Sequence, residues 1–215
     1  MVKSSPPQTV SPKRPDFSGK NIAEMAEILQ NTGFGGEKTK ALPPVEQWSP
    51  DFCGDIDMEI RADGSWFHEG SPINRKEMVR LFAAILRKDE DGKTYLVTPV
   101  ERVGITVEDA HFLAVEMRVL PDQTLCFRTQ LDDYVKADIN HPLRFEIDAA
   151  TGGVKPYINV RGRLEARLTR ALTYDLMALG EEGQVDGEAM FVIRSGMAVF
   201  PVMTMRDLER LSAEL

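Results

Sequence analysis

The sequence predicts an α+β fold built as an internal duplication, two successive α+β units of similar plan behind an N-terminal helical arm. Three observations carry this reading. Apolar residues alternate with period two over short runs and then recur with a helical period. Turn residues with hairpin chemistry, Asp63-Gly64 and Thr151-Gly152-Gly153, separate paired alternating runs. The order strand, turn, strand, helix, strands occurs in both halves, as a repeated supersecondary unit would give. The expected organisation is a disordered tail over residues 1–20 and a helical arm with linker over 21–44. A first unit over 45–120 and a second over 121–215, closed by a helix, follow.

Pro6, Pro7, Pro12 and Pro15 lie among serines and lysines, and prolines that close together remove backbone donors and forbid a helix. Residues 21–30 set Ile22, Met25, Ile28 and Leu29 on one helical face. Gly33, Gly35 and Gly36 and the Pro43-Pro44 pair then read as a linker. Helix and linker form an arm suited to lie on the main body or on a partner subunit, so a homo-oligomer made through the arm is one expectation.

From Asp55, Ile56, Met58 and Ile60 alternate with Asp57, Glu59 and Arg61, the mark of a half-buried strand. Trp66 returns as its partner after the Asp63-Gly64 turn. Residues 74–87 carry Met78, Val79, Phe82, Ile85 and Leu86 as the apolar stripe of a helix. Strands are expected over 94–98 and 112–120. In the second half, strands are expected over 124–128, 142–147 and 154–160, with a helix over 162–179 whose stripe is Leu164, Leu168, Leu172, Leu176 and Leu179. Strands over 189–193 and 197–200 and a helix over 206–215 complete the chain.

With 42% hydrophobic and 28% charged residues the chain has the composition of a globular protein and not of a disordered or fibrous one. A net charge of −8 argues against coating DNA or an anionic membrane through bulk charge. Residues 1–50 hold six basic and five acidic side chains, so the acidic surplus belongs to the folded body. Two cysteines, Cys53 and Cys126, are too few for a disulfide scaffold, and no apolar run approaches the ~20 residues of a membrane helix. The opening residues lack the apolar core of a secretory signal, so a cytoplasmic location is expected.

Motifs for chemistry are sparse. Gly33-Phe34-Gly35-Gly36-Glu37-Lys38-Thr39 lacks the Gly-Lys-[Ser/Thr] order of a phosphate loop and runs into a proline-rich linker. His68, His111 and His141 are scattered, with no pair spaced for a metal, and no cofactor motif occurs. The arginines are more informative. On the predicted helices, Arg163, Arg167 and Arg170 share a face opposite the leucines and read as solvated. Arg161 lies above the leucine stripe, and Arg75 stands in the same relation to Met78, Phe82 and Leu86. A guanidinium on a core-facing meridian needs an anion or several carbonyls, and Asp57 and Glu146 are candidate partners alongside a ligand.

Pro43-Pro44-Val45, Trp48, Cys53-Gly54-Asp55-Ile56-Asp57-Met58, Trp66, Glu69-Gly70-Ser71-Pro72-Ile73 and Arg75 resemble the opening of the bacterial domain of unknown function 1285. Val97-Thr98-Pro99-Val100-Glu101, Pro156-Tyr157, Val160-Arg161-Gly162, Leu164-Glu165-Ala166-Arg167-Leu168 and Phe200-Pro201 continue the resemblance in order. It implies a duplicated α+β core, a second unit similar to pleckstrin-homology folds, and a cleft between the units for a nucleotide-like ligand in a signalling role. It implies no reaction.

The function expected from both lines is a non-enzymatic binding module that holds a small anionic, nucleotide-like ligand at the junction of the units. Arg75 and Arg161 are the expected anion anchors, Trp66 and His68 the walls, and Asp57 and Asn159 the hydrogen-bond partners. The alternatives are a hydrolase-type enzyme using His68 and Asp57 in the same cleft, and a protein-interaction adaptor without a small ligand.

Overall fold

The computed structural model describes residues 22–31, 42–148 and 151–213. The expected tail, and the expected linker up to residue 41, therefore lie outside the described residues. The first helix, α1 (Ile22–Asn31), forms where the apolar spacing predicted it and packs on a second, α2 (Lys76–Ala84), burying Met25 and Ala26.

The strands of the first unit are β1 (Phe52–Ile60), β2 (Trp66–His68), β3 (Ser71–Pro72), β4 (Leu86–Lys88), β5 (Thr94–Val97) and β6 (Arg102–Val107). They form one sheet in the order β3-β2-β1-β6-β5-β4. The second unit supplies β7 (Phe112–Val119), β8 (Leu125–Thr129), β9 (Tyr134–Lys136), β10 (Leu143–Ile147), β11 (Val154–Arg161) and β12 (Leu164–Leu168), in the order β10-β11-β12-β7-β8-β9. Counted from each unit's own first strand, the two orders are the same. Each sheet is two antiparallel three-stranded meanders joined by a parallel pair, β1 with β6 and β7 with β12. The duplicated plan is thus present, with a different phase from the one expected. The unit boundary falls just before His111 and not at residue 120, because β7 opens the second sheet. The Asp63-Gly64 turn joins β1 to β2, while Thr151-Gly152 joins β10 to β11, so the two turns are not equivalent positions of the repeat.

After β12 come α3 (Arg170–Met177), a three-stranded sheet of β13 (Glu181–Val185), β14 (Glu188–Ser195) and β15 (Ala198–Thr204), and α4 (Met205–Ala213), which packs on β14 and β15. One hydrophobic core runs through both units, from Met58, Ile60, Trp66 and Phe82 to Phe112, Phe127, Ile158 and Phe200.

Two helices are shorter than expected. The helix expected over 74–87 stops at Ala84, and Leu86 pairs with Leu96 as the start of a strand. The helix expected over 162–179 begins only at Arg170, capped by Thr169, whose side chain accepts from the Leu172 N–H. Leucines four apart satisfy a helix, but Leu164, Ala166 and Leu168 satisfy a strand equally, with Glu165 and Arg167 on its other side. Gly162, at φ +50°, makes the hairpin turn that settles the choice. The strands β3, β6, β9 and β13 are not anticipated by the sequence pattern.

The units are also tied by polar contacts. From α2, Lys76 Nζ reaches Asp132 at 2.7 Å, and Arg80 pairs with the same carboxylate while donating to the Leu131 carbonyl. Arg128 brings a third cation to Asp132 from β8. Arg167 donates to the Ala62 carbonyl at 2.8 Å, and Arg163 pairs with Glu90.

Candidate functional site

The expected anchors do not meet. Arg75 is exposed at the N-cap of α2, whereas Arg161 ends β11 and donates to the carbonyl of Ala83, at the opposite end of that helix. A helix of nine residues is about 13 Å long at 1.5 Å per residue, so the two cations stand at opposite ends of α2, one exposed and one bound to a carbonyl. Arg161 owes its burial to another arrangement: its guanidinium lies 5.1 Å from the centre of the Phe112 ring and binds the Ala83 carbonyl in the last turn of α2. Desolvation holds its pKa below the ordinary arginine value. The premise that Arg161 opens a helix is corrected, since β11 and β12 form a hairpin there.

The other expected residues are also dispersed. Trp66 is 2% exposed and pairs across the sheet with Ile60, so it packs in the core, its indole Nε1 without a partner among the described residues. His68 stands opposite Met58, which puts it on the core side of β1 and β2 and puts Asp57 on the other. The pairing of His68 with Asp57 required by the enzyme alternative is therefore not formed. Asn159 stands opposite Glu165 and uses its amide to bind the Gly162 carbonyl at 2.8 Å, closing the β11–β12 turn.

A cavity does lie at the junction, built from residues the sequence reading passed over. It measures about 380 Å³ and is bounded by the middle of β1, the second half of β6, the facing ends of β4 and β5, the β4–β5 turn, and the connection into the second unit at Asp109 and His111. The register Lys88–Thr94–Ile105 lays one row of side chains across three strands. Thr94 Oγ1 lies 3.0 Å from Nε2 of His111, and Nδ1 of the same ring accepts the Glu165 backbone N–H at 3.3 Å. Because Nδ1 accepts, the proton of the neutral ring sits on Nε2 and is donated to Thr94. His111 is 3% exposed; burial first, then the Lys88 cation, pushes its pKa down to about 4.

The cavity's charges are unevenly matched. Asp109 is occupied, accepting from Tyr157 Oη and Arg167 at 2.8 Å each. Lys88, half-buried, has no carboxylate partner among the described residues, whereas Lys93, exposed at the turn, lies beside Asp91, which accepts its backbone N–H at 2.9 Å. Lys88 thus brings an ammonium group without a carboxylate partner to the cavity, with Lys93 on the adjoining turn, in a chain of net charge −8. Lysines without ion pairs at a concave polar site attract an anion. Among the described residues no group of three or more His, Cys, Asp or Glu side chains is placed to hold a metal ion. No sequence signal marks Lys88 or Lys93; only the hairpin that brings them to the junction does.

A second hollow, about 430 Å³, lies on the far side of the same turn, beside Trp48 and Arg102. Its charges are spent internally: Asp89 binds Arg87 at 2.6 Å and Arg102 at 2.6 Å, and Arg87 also donates to the carbonyls of Val45 and Trp48.

Comparison with known proteins agrees with this division at His111. Residues 43–110 match the N-terminal domain, and residues 111–202 the C-terminal domain, of the protein family of unknown function DUF1285. A crystal structure of a DUF1285 family protein from Silicibacter pomeroyi DSS-3 is 43% identical, covers 90% of this chain and 100% of its own, and superposes with a TM-score of 0.78. A DUF1285 family protein from Shewanella baltica OS155 is 28% identical over 57% of this chain and 91% of its own, with a TM-score of 0.47. No curated protein matches the chain. With both family domains in order over residues 43–202, and a solved relative of the same family aligned along nearly its whole length, the chain belongs to the DUF1285 family.

Proposed function

We propose that the protein is a ligand-binding module that holds a small anionic, nucleotide-like molecule at the junction of its two units, for sensing or signalling. The observation that carries the reading is Lys88 beside the junction cavity, without a carboxylate partner among the described residues, with Lys93 bordering the same cavity from the β4–β5 turn. The volume of about 380 Å³ is at the lower end of the range that small-molecule sites occupy. A bound molecule there would touch strands of the first unit and the Asp109–His111 connection together, so occupancy would alter how firmly the units are joined. A pleckstrin-homology-like second unit goes with this proposal, supported by its two sheets and the closing helix α4. So does a cytoplasmic location, with Cys53 and Cys126 both free; among the described residues no helix is long and apolar enough to cross a membrane.

The test is a thermal-shift and calorimetric titration with inorganic phosphate and adenosine monophosphate, on the wild type and on the double variant Lys88→Ala/Lys93→Ala. Saturation at 100 times Kd stabilises the fold by about 2.7 kcal/mol, a rise in Tm large enough to read directly. The double variant is expected to lose at least tenfold in affinity. Absence of a shift with either anion, or an unchanged affinity in the double variant, overturns the reading.

A further inference from the structure

The junction cavity has an aliphatic end as well as a cationic one. Lys88, Thr94 and Ile105 stand in one row across β4, β5 and β6. Side chains two apart on a strand share a face, so Val107 lies on the same side as Ile105. On β1, Ile56 alternates with the exposed Asp55 and Asp57 and shares the inward side of Met58 and Ile60. Ile60 pairs with Val107, which puts Ile56 on this face too. Ile56, Ile105 and Val107 all border the cavity; each is half-buried, packed against the core yet with part of its surface open. Asp55 belongs to the other row, with Gly104, Tyr95 and Arg87, so its carboxylate is on the opposite face of the sheet.

Along the row the chemistry changes in one direction. Lys88 offers a cation. In the middle, Thr94 Oγ1 and His111 Nε2 lie 3.0 Å apart and satisfy each other, while Nδ1 of the ring takes the Glu165 N–H. Beyond them this face carries only the branched aliphatic side chains, which gain from being covered and have nothing to offer a polar group. Two inter-strand spacings separate the backbones of Lys88 and Ile105, about 10 Å, within the reach of one small molecule. We propose that, granted the junction binding site, its ligand is amphipathic: an acidic group held at Lys88 is joined to an apolar body that lies on the strip of Ile56, Ile105 and Val107. A base supplies such a body by its flat face and an alkyl chain supplies it along its length. A bare sugar, hydroxylated all round, does not.

Binding is measured by calorimetry with inorganic phosphate, which has only the acid, and ribose 5-phosphate, which adds a polar body. Adenosine monophosphate adds a base, and ethyl, butyl and hexyl phosphate add an alkyl chain. Wild type is expected to bind hexyl phosphate or the nucleotide at least tenfold tighter than ribose 5-phosphate, and the tighter of the two identifies the body as chain or base. In the alkyl series affinity should rise about two- to fourfold per methylene, with a negative heat-capacity change that inorganic phosphate lacks. Val107→Thr keeps the branched shape and adds a hydroxyl to the strip. It is expected to cut the gain from the apolar body about threefold or more while leaving the affinity for inorganic phosphate within about twofold. Lys88→Ala should weaken every probe by a common factor and keep the gain. A flat alkyl series together with ribose 5-phosphate as tight as the nucleotide in wild type, or a gain undiminished in Val107→Thr, overturns the amphipathic assignment and leaves the anion site standing. Failure of every probe to bind overturns both.

Discussion

Acidification gives the sharpest measure of how the two units are joined. His111 is 3% exposed, held neutral between Thr94 and the Glu165 N–H, with its pKa pushed from 6.5 to about 4 by burial and by the neighbouring Lys88 cation. In the unfolded chain the ring takes its proton near pH 6.5; in the native protein it resists until about pH 4. Above pH 6.5 the group therefore leaves stability independent of pH. Between those values the unfolded state binds more protons than the native state, and stability falls with decreasing pH by up to ~1.4 kcal/mol per unit. Below the native pKa the loss levels off, at roughly 3 kcal/mol for a shift from 6.5 to about 4. Carboxylates held below their ordinary value against the cost of burial, such as Asp89 bound by Arg87 and Arg102, begin to cost stability from about pH 5, equally in wild type and variant, so the difference between the two slopes isolates His111. Urea unfolding followed by tryptophan fluorescence at half-unit steps from pH 7.5 to 4 reads the slope, in wild type and in His111→Gln. The variant is expected to be less stable at neutral pH, because the Glu165 N–H loses its acceptor, yet flatter across pH 6.5 to 4. Parallel slopes in the two proteins would refute the buried, neutral ring as the junction's pH-sensitive group.

Two further predictions concern the packing that frames the site. Arg161→Ala should lower the unfolding free energy by about 1.5–3 kcal/mol, since the Ala83 carbonyl and the Phe112 face both lose the guanidinium; a denaturation midpoint equal to wild type would show that the clamp contributes nothing. Gly64→Ala should cost about 1–2 kcal/mol at φ +81°, with its Cβ crowding the Gln130 amide at 3.2 Å, and a thermal melt without a lowered Tm would contradict that.

Much of the architecture is written in local pattern. The alternation of Ile56, Met58 and Ile60 places β1, and Met58 and Ile60 are buried as period two demands. The apolar spacing at Met25 marks α1, and Thr169 marks the start of α3 once the strand before it is recognised. Short elements escape such reading for a physical reason: β9 and β13 are three and five residues long, too short for a period to declare itself, and both are sheet edges completed by their neighbours.

The choice between helix and strand at Leu164–Leu168 rests on the Gly162 turn together with pairing to a distant strand. Side chains four apart share a face in both structures, so burial of Leu164 and Leu168 is satisfied either way. The decision comes from the hairpin with β11 on one side and from Phe112–Ala114 on the other, the second pairing reaching across fifty residues of chain. The same holds for the site. Composition and charge exclude a nucleic-acid coat, and the order of family motifs announces the two domains, but residue chemistry alone drew attention to Arg75 and Arg161 because a cation beside an apolar stripe looks unpaid in one dimension. In three dimensions Arg161 finds a helix carbonyl and a ring, Arg75 finds solvent, and the cations left facing a cavity are Lys88 and Lys93, ordinary in sequence and distinguished only by where a hairpin delivers them. Periodicity specifies which side chains face inward; which of them meet depends on long-range strand pairing, and that pairing builds the junction.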